Sequence, residues 1–301
     1  MLERSFRPPQ RVSLALTLGP LRRGAGDPCM RIGADGVWRA SRTPHGPATV
    51  HLTARDGEVR VRAWGPGAAW AVDAAPALVG AHDDPAGFEP RHPVLAGLAR
   101  RLPGLRIPRS GAVTEALVPT VLEQKVTGIE AKRSYRALVR ALGEPAPGPS
   151  GATGLLVPPA PETLAATPSY AFHPHGVERR RAETIRRACA VAPRLEEVAS
   201  MAPADARRRL CAVPGVGPWT AAEVALVALG DTDAVSLDDF HLPHQVAWAL
   251  AGEARADDAR MLELLEPYRG HRGRVIRLIV AGGIQAPRFG PRHRLRSIAA
   301  I

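Results

Sequence analysis

The densest group of residues that could do chemistry lies between positions 210 and 242. Within it, a helical pattern runs into the turn Pro214-Gly215-Val216-Gly217, and a new helical pattern leaves that turn at once. The glycines allow close backbone approach, and the N–H groups at the positive dipole end of the new helix can hold a phosphate. A plain packing corner between two helices is the alternative, and Gly-x-Gly taken alone favours that corner.

Two adjacent acids, Asp238 and Asp239, follow this turn. A carboxylate held in a largely dry pocket can stabilise a developing positive charge, and it can orient or deprotonate water. The apolar stripe of Leu242, Val246 and Leu250 predicts a helix that begins just after the two acids. Capping of that helix is therefore the alternative to a catalytic role for either acid.

As an ordered set, these segments resemble the helix-hairpin-helix DNA glycosylase superfamily. Residues 210–221 match its hairpin and residues 233–242 match its Asp-bearing segment. Upstream, residues 122–127 resemble its buried helix junction, and residues 176–183 resemble the helix before its hairpin. The resemblance covers roughly positions 112–280, and a β-structured segment ahead of it is similar to the alkylpurine (3-methyladenine type II) branch.

The resemblance implies a catalytic Asp, a phosphate-binding turn and an aromatic base pocket. Asp239 fits the family pattern better than Asp238, because an aromatic residue, a variable residue and an apolar residue follow it. The resemblance also assigns phosphate binding to the backbone of the turn and base stacking to Trp219, for which ordinary helix packing is the alternative. The residues of the turn are Pro214, Gly215, Val216 and Gly217.

Three positions depart from the family pattern or refine it. Trp219 stands where strand-nicking members carry a Schiff-base lysine, and the only lysines here are Lys125 and Lys132, so the resemblance implies a monofunctional hydrolase that uses water. Glu223 stands where the alkylpurine branch can carry a second pocket aromatic. If Gln124 aligns with the family's pocket residue, Lys125 occupies the position of the residue that fills the gap left by the flipped base. A solvated surface lysine is the equal alternative.

The apolar patterns and turn residues along the chain predict an α+β fold that positions these residues. Alternating apolar residues predict a strand over 12–18, and Asp-Gly pairs predict hairpins at Asp35-Gly36 and Asp56-Gly57. A helix over 68–79 is expected to cover the sheet. From about position 84 the apolar period becomes helical, and the Pro- and Gly-rich loop 144–161 has no assigned role. Further helices are predicted over residues 92–102, 113–123, 127–142, 161–166, 177–191, 195–201 and 204–210.

We therefore expect two domains: an antiparallel β-sheet domain with a helix over 1–83, and an all-α helix-hairpin-helix domain with a basic C-terminal tail over 84–301. The chain has 301 residues and a formal net charge of +11, which suits a nucleic-acid backbone, although an Arg-rich composition can also come from a GC-rich genome. Positions 268–301 contain no acid.

The remaining composition argues against several protein classes. The 3 cysteines are scattered without a CxxC pair, which predicts neither a disulfide framework nor a zinc or iron-sulfur site and suits a reducing cytoplasm. The first residues lack the apolar core of a signal peptide, and no apolar run has the length of a membrane span.

The sequence thus predicts a monomeric, cytoplasmic, nucleoid-associated DNA N-glycosylase that hydrolyses alkylated purines of the 3-methyladenine type in damaged double-stranded DNA. No cofactor or catalytic metal is expected, and the resemblance allows an accessory monovalent cation on the backbone carbonyls of the hairpin. Two alternatives stay open: a non-catalytic helix-hairpin-helix protein that binds DNA, and a glycosylase for other damaged or mismatched bases.

Overall fold

The computed structural model describes residues 1–149 and 154–287, and it begins with an antiparallel sheet in the order β1-β5-β4-β3-β2. A short two-stranded ribbon follows later in the chain. The strands are β1 Leu2–Phe6, β2 Met30–Gly33, β3 Gly36–Thr43, β4 Gly46–Arg55, β5 Glu58–Trp64, β6 Glu144–Pro145 and β7 Leu156–Val157. Residues 150–153 of the loop 144–161 and the predicted basic tail beyond residue 287 lie outside the described residues.

Both predicted hairpins are present in the sheet. β4 and β5 meet at a two-residue turn in which Asp56 and Gly57 have φ values of 52° and 76°, the left-handed pair that a tight hairpin requires. The β2–β3 hairpin pairs Gly33 with Gly36, so its turn is centred at 34–35, one residue before the predicted position. The register of the sheet therefore follows local turn chemistry.

The predicted strand over 12–18 is wrong, because a short helix occupies Leu14–Leu18. Ser13 caps this helix by accepting a hydrogen bond from the N–H of Leu16, and the backbone of Ser13 also donates to the carbonyl of Gly104 at 2.7 Å. The leucines at 14 and 18 are buried together with Thr17, which is a helical spacing. A run of alternating apolar residues this short fits either period, and the N-cap and the docking contact favour the helix.

Apart from β6 and β7, the regular structure in the rest of the described chain is helical, and most of the predicted helices are present within a few residues of their expected ends. The predicted helix over 195–201 is instead a short α-helix followed by a 3₁₀ turn over Glu197–Ser200. The helices are α1 Leu14–Leu18, α2 Ala68–Leu78, α3 Pro93–Arg101, α4 Val113–Leu122, α5 Gly128–Leu142, α6 Pro161–Ala166, α7 Arg179–Ala190, α8 Ala192–Glu196, α9 Pro203–Cys211, α10 Pro218–Val224, α11 Leu242–Ala251, α12 Asp258–Leu265 and α13 Arg272–Ala281.

Separate apolar cores hold these layers. The face of the sheet that includes Val50, Leu52 and Val61 packs against α2 as predicted, with Ala75 fully buried between them. A second cluster surrounds α4, α7 and α10, and a third joins α3 to α11, α12 and α13. The α4–α7–α10 cluster positions the helical hairpin described below.

Buried ion pairs join the sheet region to the helices. Arg274 of α13 contacts both carboxylate oxygens of Asp83, at 2.9 and 2.6 Å, and both side chains are almost inaccessible. Glu115 of α4 accepts hydrogen bonds from the side chain of Arg39 and from the backbone N–H of Arg42. Burial raises the pKa of the Glu115 carboxyl, and the nearby Arg39 opposes that rise. No helix in the described ranges is long and apolar enough to span a membrane.

Candidate functional site

The predicted turn between α9 and α10 forms a hairpin whose backbone lies at the surface. Gly215 has a φ of 98°, and a β-carbon at this position would collide with the side chain of Thr184 on α7. Val216 is buried and anchors the turn, whereas Pro214 and Gly215 are exposed. Glycine is therefore required at 215 both by the backbone conformation and by the close approach of α7.

The junction after α4 is attached to this hairpin by Gln124. Its amide nitrogen donates to the carbonyl of Gly215 at 3.0 Å and to the hydroxyl of Thr220 at 2.9 Å. The adjacent Lys125 is exposed and has a φ of 54°, in the left-handed region. The structure thus places the two residues predicted from the helix junction beside the hairpin, with the Gln124 amide turned toward the backbone of the turn.

The carboxylate of Asp239 is held in one orientation by three N–H groups. The indole Nε1 of Trp219 donates to Oδ2 at 2.9 Å, and the backbone N–H groups of His241 and Leu242 donate to Oδ1 at 2.8 Å each. Asp239 therefore binds the first amides of α11, as the capping alternative requires, and it also contacts the residue predicted for the base pocket.

Asp238 has different surroundings. Its side chain is exposed, its φ is 64°, and its N–H donates to Asp258 Oδ2 at 2.7 Å. Of the two adjacent acids, Asp239 is the one whose carboxylate is brought against Trp219. The geometry separates the two candidates more clearly than their neighbouring sequence does.

A second carboxyl, Glu223, faces the same loop as Trp219, and the sequence analysis assigned it no role. It lies four residues after Trp219 on α10, and its Oε1 accepts a hydrogen bond from the hydroxyl of Ser236. Burial raises the pKa of the Glu223 carboxyl, and the neighbouring carboxyls of Glu123 and Asp239 raise it further, although the Ser236 bond opposes this. The i, i+4 spacing from Trp219 is the sequence signal that could have identified this residue.

Two arginines from distant parts of the chain complete the surroundings. Arg23 reaches Glu123, immediately before Gln124, in an ion pair of 3.2 Å. Arg277 of α13 is partly buried, and desolvation lowers its pKa to about 10, whereas Glu223 acts in the opposite direction. The Arg23–Glu123 contact spans 100 positions in sequence, so no local pattern could have predicted it.

The described residues contain no group of three or more His, Cys, Asp or Glu side chains able to hold a metal ion. An accessory monovalent cation would instead need backbone carbonyls of the hairpin. The carbonyls of Val213 and Gly215 accept hydrogen bonds from the N–H of Val216 and the amide of Gln124 respectively. Because a carbonyl oxygen has two lone pairs, each of these groups retains one for such an ion.

Comparisons of sequence find partial relatives. No protein-family model matches this chain. It is 33% identical over 155 residues to the "Probable bifunctional transcriptional activator/DNA repair enzyme AlkA" of two Mycobacterium tuberculosis strains, CDC 1551 / Oshkosh and ATCC 25618 / H37Rv. Each match covers 50% of this chain and only 30% of the relative. The chain therefore spans less than a third of the length of the curated relatives that it matches.

Solved structures share the fold over nearly the whole chain. The 3-methyladenine DNA glycosylase of Archaeoglobus fulgidus superposes with a TM-score of 0.75 at 17% identity, covering 92% of this chain and 97% of that one. The 8-oxoguanine glycosylase/lyase of Clostridium acetobutylicum, in complex with double-stranded DNA, superposes with a TM-score of 0.69 at 14% identity, covering 91% and 92%. The predicted α+β helix-hairpin-helix glycosylase fold is thus confirmed, and identities this low establish the fold alone.

Proposed function

We propose that this chain, which has the helix-hairpin-helix glycosylase fold, is a monofunctional DNA N-glycosylase that hydrolyses the N-glycosidic bond of alkylated purines, of the 3-methyladenine type, in damaged double-stranded DNA. The observation that carries the proposal is the contact between Trp219 and Asp239 at 2.9 Å, beside the hairpin. It joins an aromatic surface for a base to a carboxylate for the sugar.

Asp239 is the proposed catalytic residue. When a purine leaves, positive charge develops on the sugar, and a fixed carboxylate stabilises that charge without having to reorganise. Three N–H donors hold the Asp239 carboxylate, so its orientation is set before DNA binds. The same carboxylate can orient or deprotonate the attacking water.

Trp219 is the proposed stacking surface for the flipped base. Its ring plane is constrained because its indole N–H is bonded to Asp239, and the side chain retains partial exposure. The electron-rich face of an indole attracts a positively charged base, and N-alkylation gives a purine that charge. A damaged base also leaves the stack at lower cost than a normally paired one.

The hairpin and the junction are the proposed DNA-backbone contacts. Gly215 is exposed and Gly217 partly exposed, and their N–H groups are the proposed donors to a phosphate, whereas Pro214 has no N–H and contributes to the shape of the turn. Lys125 adds an exposed cation beside the turn. An accessory cation on the hairpin carbonyls would add positive charge for the same phosphate.

The absence of a suitably placed lysine supports the monofunctional assignment. A strand-nicking enzyme needs an amine that forms a Schiff base with the sugar. The chain has lysine only at 125 and 132, and the aliphatic part of Lys132 lies near Gly24. Trp219 occupies the position where the family's lyases carry that amine, so water is the proposed nucleophile.

The proposal is tested by base release from duplex DNA that carries 3-methyladenine or 7-methylguanine. We expect release by the wild type and by Asp238→Asn, no release by Asp239→Asn, and strand breaks only after alkali. Breaks before alkali would refute the monofunctional assignment. Tight duplex binding without release of either base would refute the alkylpurine assignment and favour another lesion class or a non-catalytic DNA-binding protein.

A further inference from the structure

Two adjacent side-chain hydrogen bonds join α10 to the loop before α11. Trp219 and Glu223 are four residues apart on one face of α10, and their partners Asp239 and Ser236 are three residues apart on the loop. The Glu223 carboxyl is therefore held beside the Trp219–Asp239 contact, on the same face of α10 as Trp219.

One oxygen of the Glu223 carboxyl accepts a hydrogen bond from the described part of the chain, and the other oxygen does not. Oε1 accepts the hydrogen bond from Ser236, and among the described residues no second hydrogen bond or ion pair reaches the Glu223 carboxyl. The side chain is only partly buried, so solvent or a ligand can reach it. Oε2 is consequently an acceptor with no protein partner, beside the proposed stacking surface.

The charges around Glu223 come from several elements. Asp239 from the loop and Glu123 from the α4 junction are the neighbouring acids, and Arg23 and Arg277 are the neighbouring bases. Arg23 is already paired with Glu123, and the Arg277 guanidinium points to the carbonyl of Leu16 at 3.5 Å. Neither arginine neutralises Glu223 by direct contact.

We propose that Glu223 is a specificity-determining residue of the base pocket: its free carboxylate oxygen accepts an N–H group of the flipped base and favours bases that carry a positive charge. This inference rests on the proposed glycosylase function and adds a second means of selection to Trp219. Trp219 then selects by stacking and Glu223 selects by charge.

The physical consequence is discrimination against neutral bases. A partly buried carboxylate attracts a nearby cation more strongly than it would in bulk water. A neutral base without a matching N–H leaves that carboxylate desolvated and unpaired, which costs affinity. Selection of this kind needs no second aromatic wall, and Glu223 stands where such a wall would be.

The test measures binding separately from catalysis. The two probes are duplexes that contain 2′-fluoro-7-methyl-2′-deoxyguanosine or 2′-fluoro-2′-deoxyguanosine, because a 2′-fluorine opposes positive charge on the sugar and prevents base release. We expect the wild type to prefer the methylated duplex. Glu223→Gln should reduce that preference about tenfold, and Glu223→Asp, which keeps the charge, should retain most of it.

The matched control is Glu58→Gln, which makes the same change of charge at an exposed position in the β4–β5 hairpin. It should leave the preference unchanged. A preference in Glu223→Gln within about twofold of the wild type would overturn the inference, as would a wild type that binds both probes equally. Base release from unfluorinated DNA is scored in parallel. If no base is released but the binding preference is intact, the proposed glycosylase activity is refuted and the role of Glu223 in base recognition is retained.

Discussion

Replacing Trp219 by Phe removes one donor from Asp239 and keeps an aromatic ring at the same position. The indole Nε1 lies 2.9 Å from Asp239 Oδ2, and a hydrogen bond to a charged group contributes about 1.5–3 kcal/mol. The amides of His241 and Leu242 still hold the other oxygen at 2.8 Å, so the carboxylate keeps its place in the variant.

Water can partly replace the lost donor, because both side chains are partly exposed. We therefore expect the lower end of that range, about 1.5 kcal/mol, which corresponds to a decrease of about tenfold in the rate of base release. The assay is single-turnover release of 7-methylguanine from duplex DNA with protein in excess. Trp248→Phe, at a partly exposed position of α11, makes the same substitution outside this contact and should release base at the wild-type rate.

Two results would contradict this reasoning. Release by Trp219→Phe at the wild-type rate would show that the indole–carboxylate bond contributes nothing to the reaction. A loss as complete as that of Asp239→Asn would contradict the tenfold expectation, since one donor of three cannot account for it when the variant keeps an aromatic ring.

Three further predictions concern stability. Gly215→Ala forces a β-carbon against Thr184 at a positive φ, so we expect a loss of about 1–3 kcal/mol in thermal unfolding and weaker duplex binding. Asp83→Ala leaves its buried arginine partner without a counter-charge and should cost about 3–5 kcal/mol in urea unfolding. Burial raises the pKa of Asp233, but the bonds from Arg272 outweigh it and lower the pKa overall. The resulting stability is present above the unfolded-state pKa and lost as pH falls through the lower folded value, so Asp233→Asn should flatten the stability profile below about pH 4.

The sequence predicted the fold well wherever local chemistry decides the structure. The Asp56-Gly57 turn and the helices α2 and α5 depend on residues within a few positions of one another. The strand predicted over 12–18 was wrong because a docking contact with Gly104, far along the chain, decided between two periods. The division into domains at residues 83 and 84 stays a prediction.

In the candidate site, too, contacts within one sequence motif were predictable and contacts between distant segments were not. Trp219 and Asp239 are 20 positions apart and belong to one motif, and the structure brings them into contact. The Arg23–Glu123 pair depends on how the N-terminal region packs on the helices, which no spacing encodes. The functional roles of Gln124 and Lys125 stay predictions, although both lie beside the hairpin.

The non-glycine residues in the left-handed conformation have a consequence for protein engineering. Asp56, Lys125 and Asp238 are the non-glycine residues with positive φ in the described part of the chain, and the last two directly adjoin Gln124 and Asp239. Such a conformation costs about 1 kcal/mol at a residue that is not glycine. A thermostability screen would therefore favour glycine at both positions, and at 125 that gain would remove the cation beside the hairpin. A gain in stability and the proposed phosphate contact of Lys125 would thus act in opposite directions on the same residue.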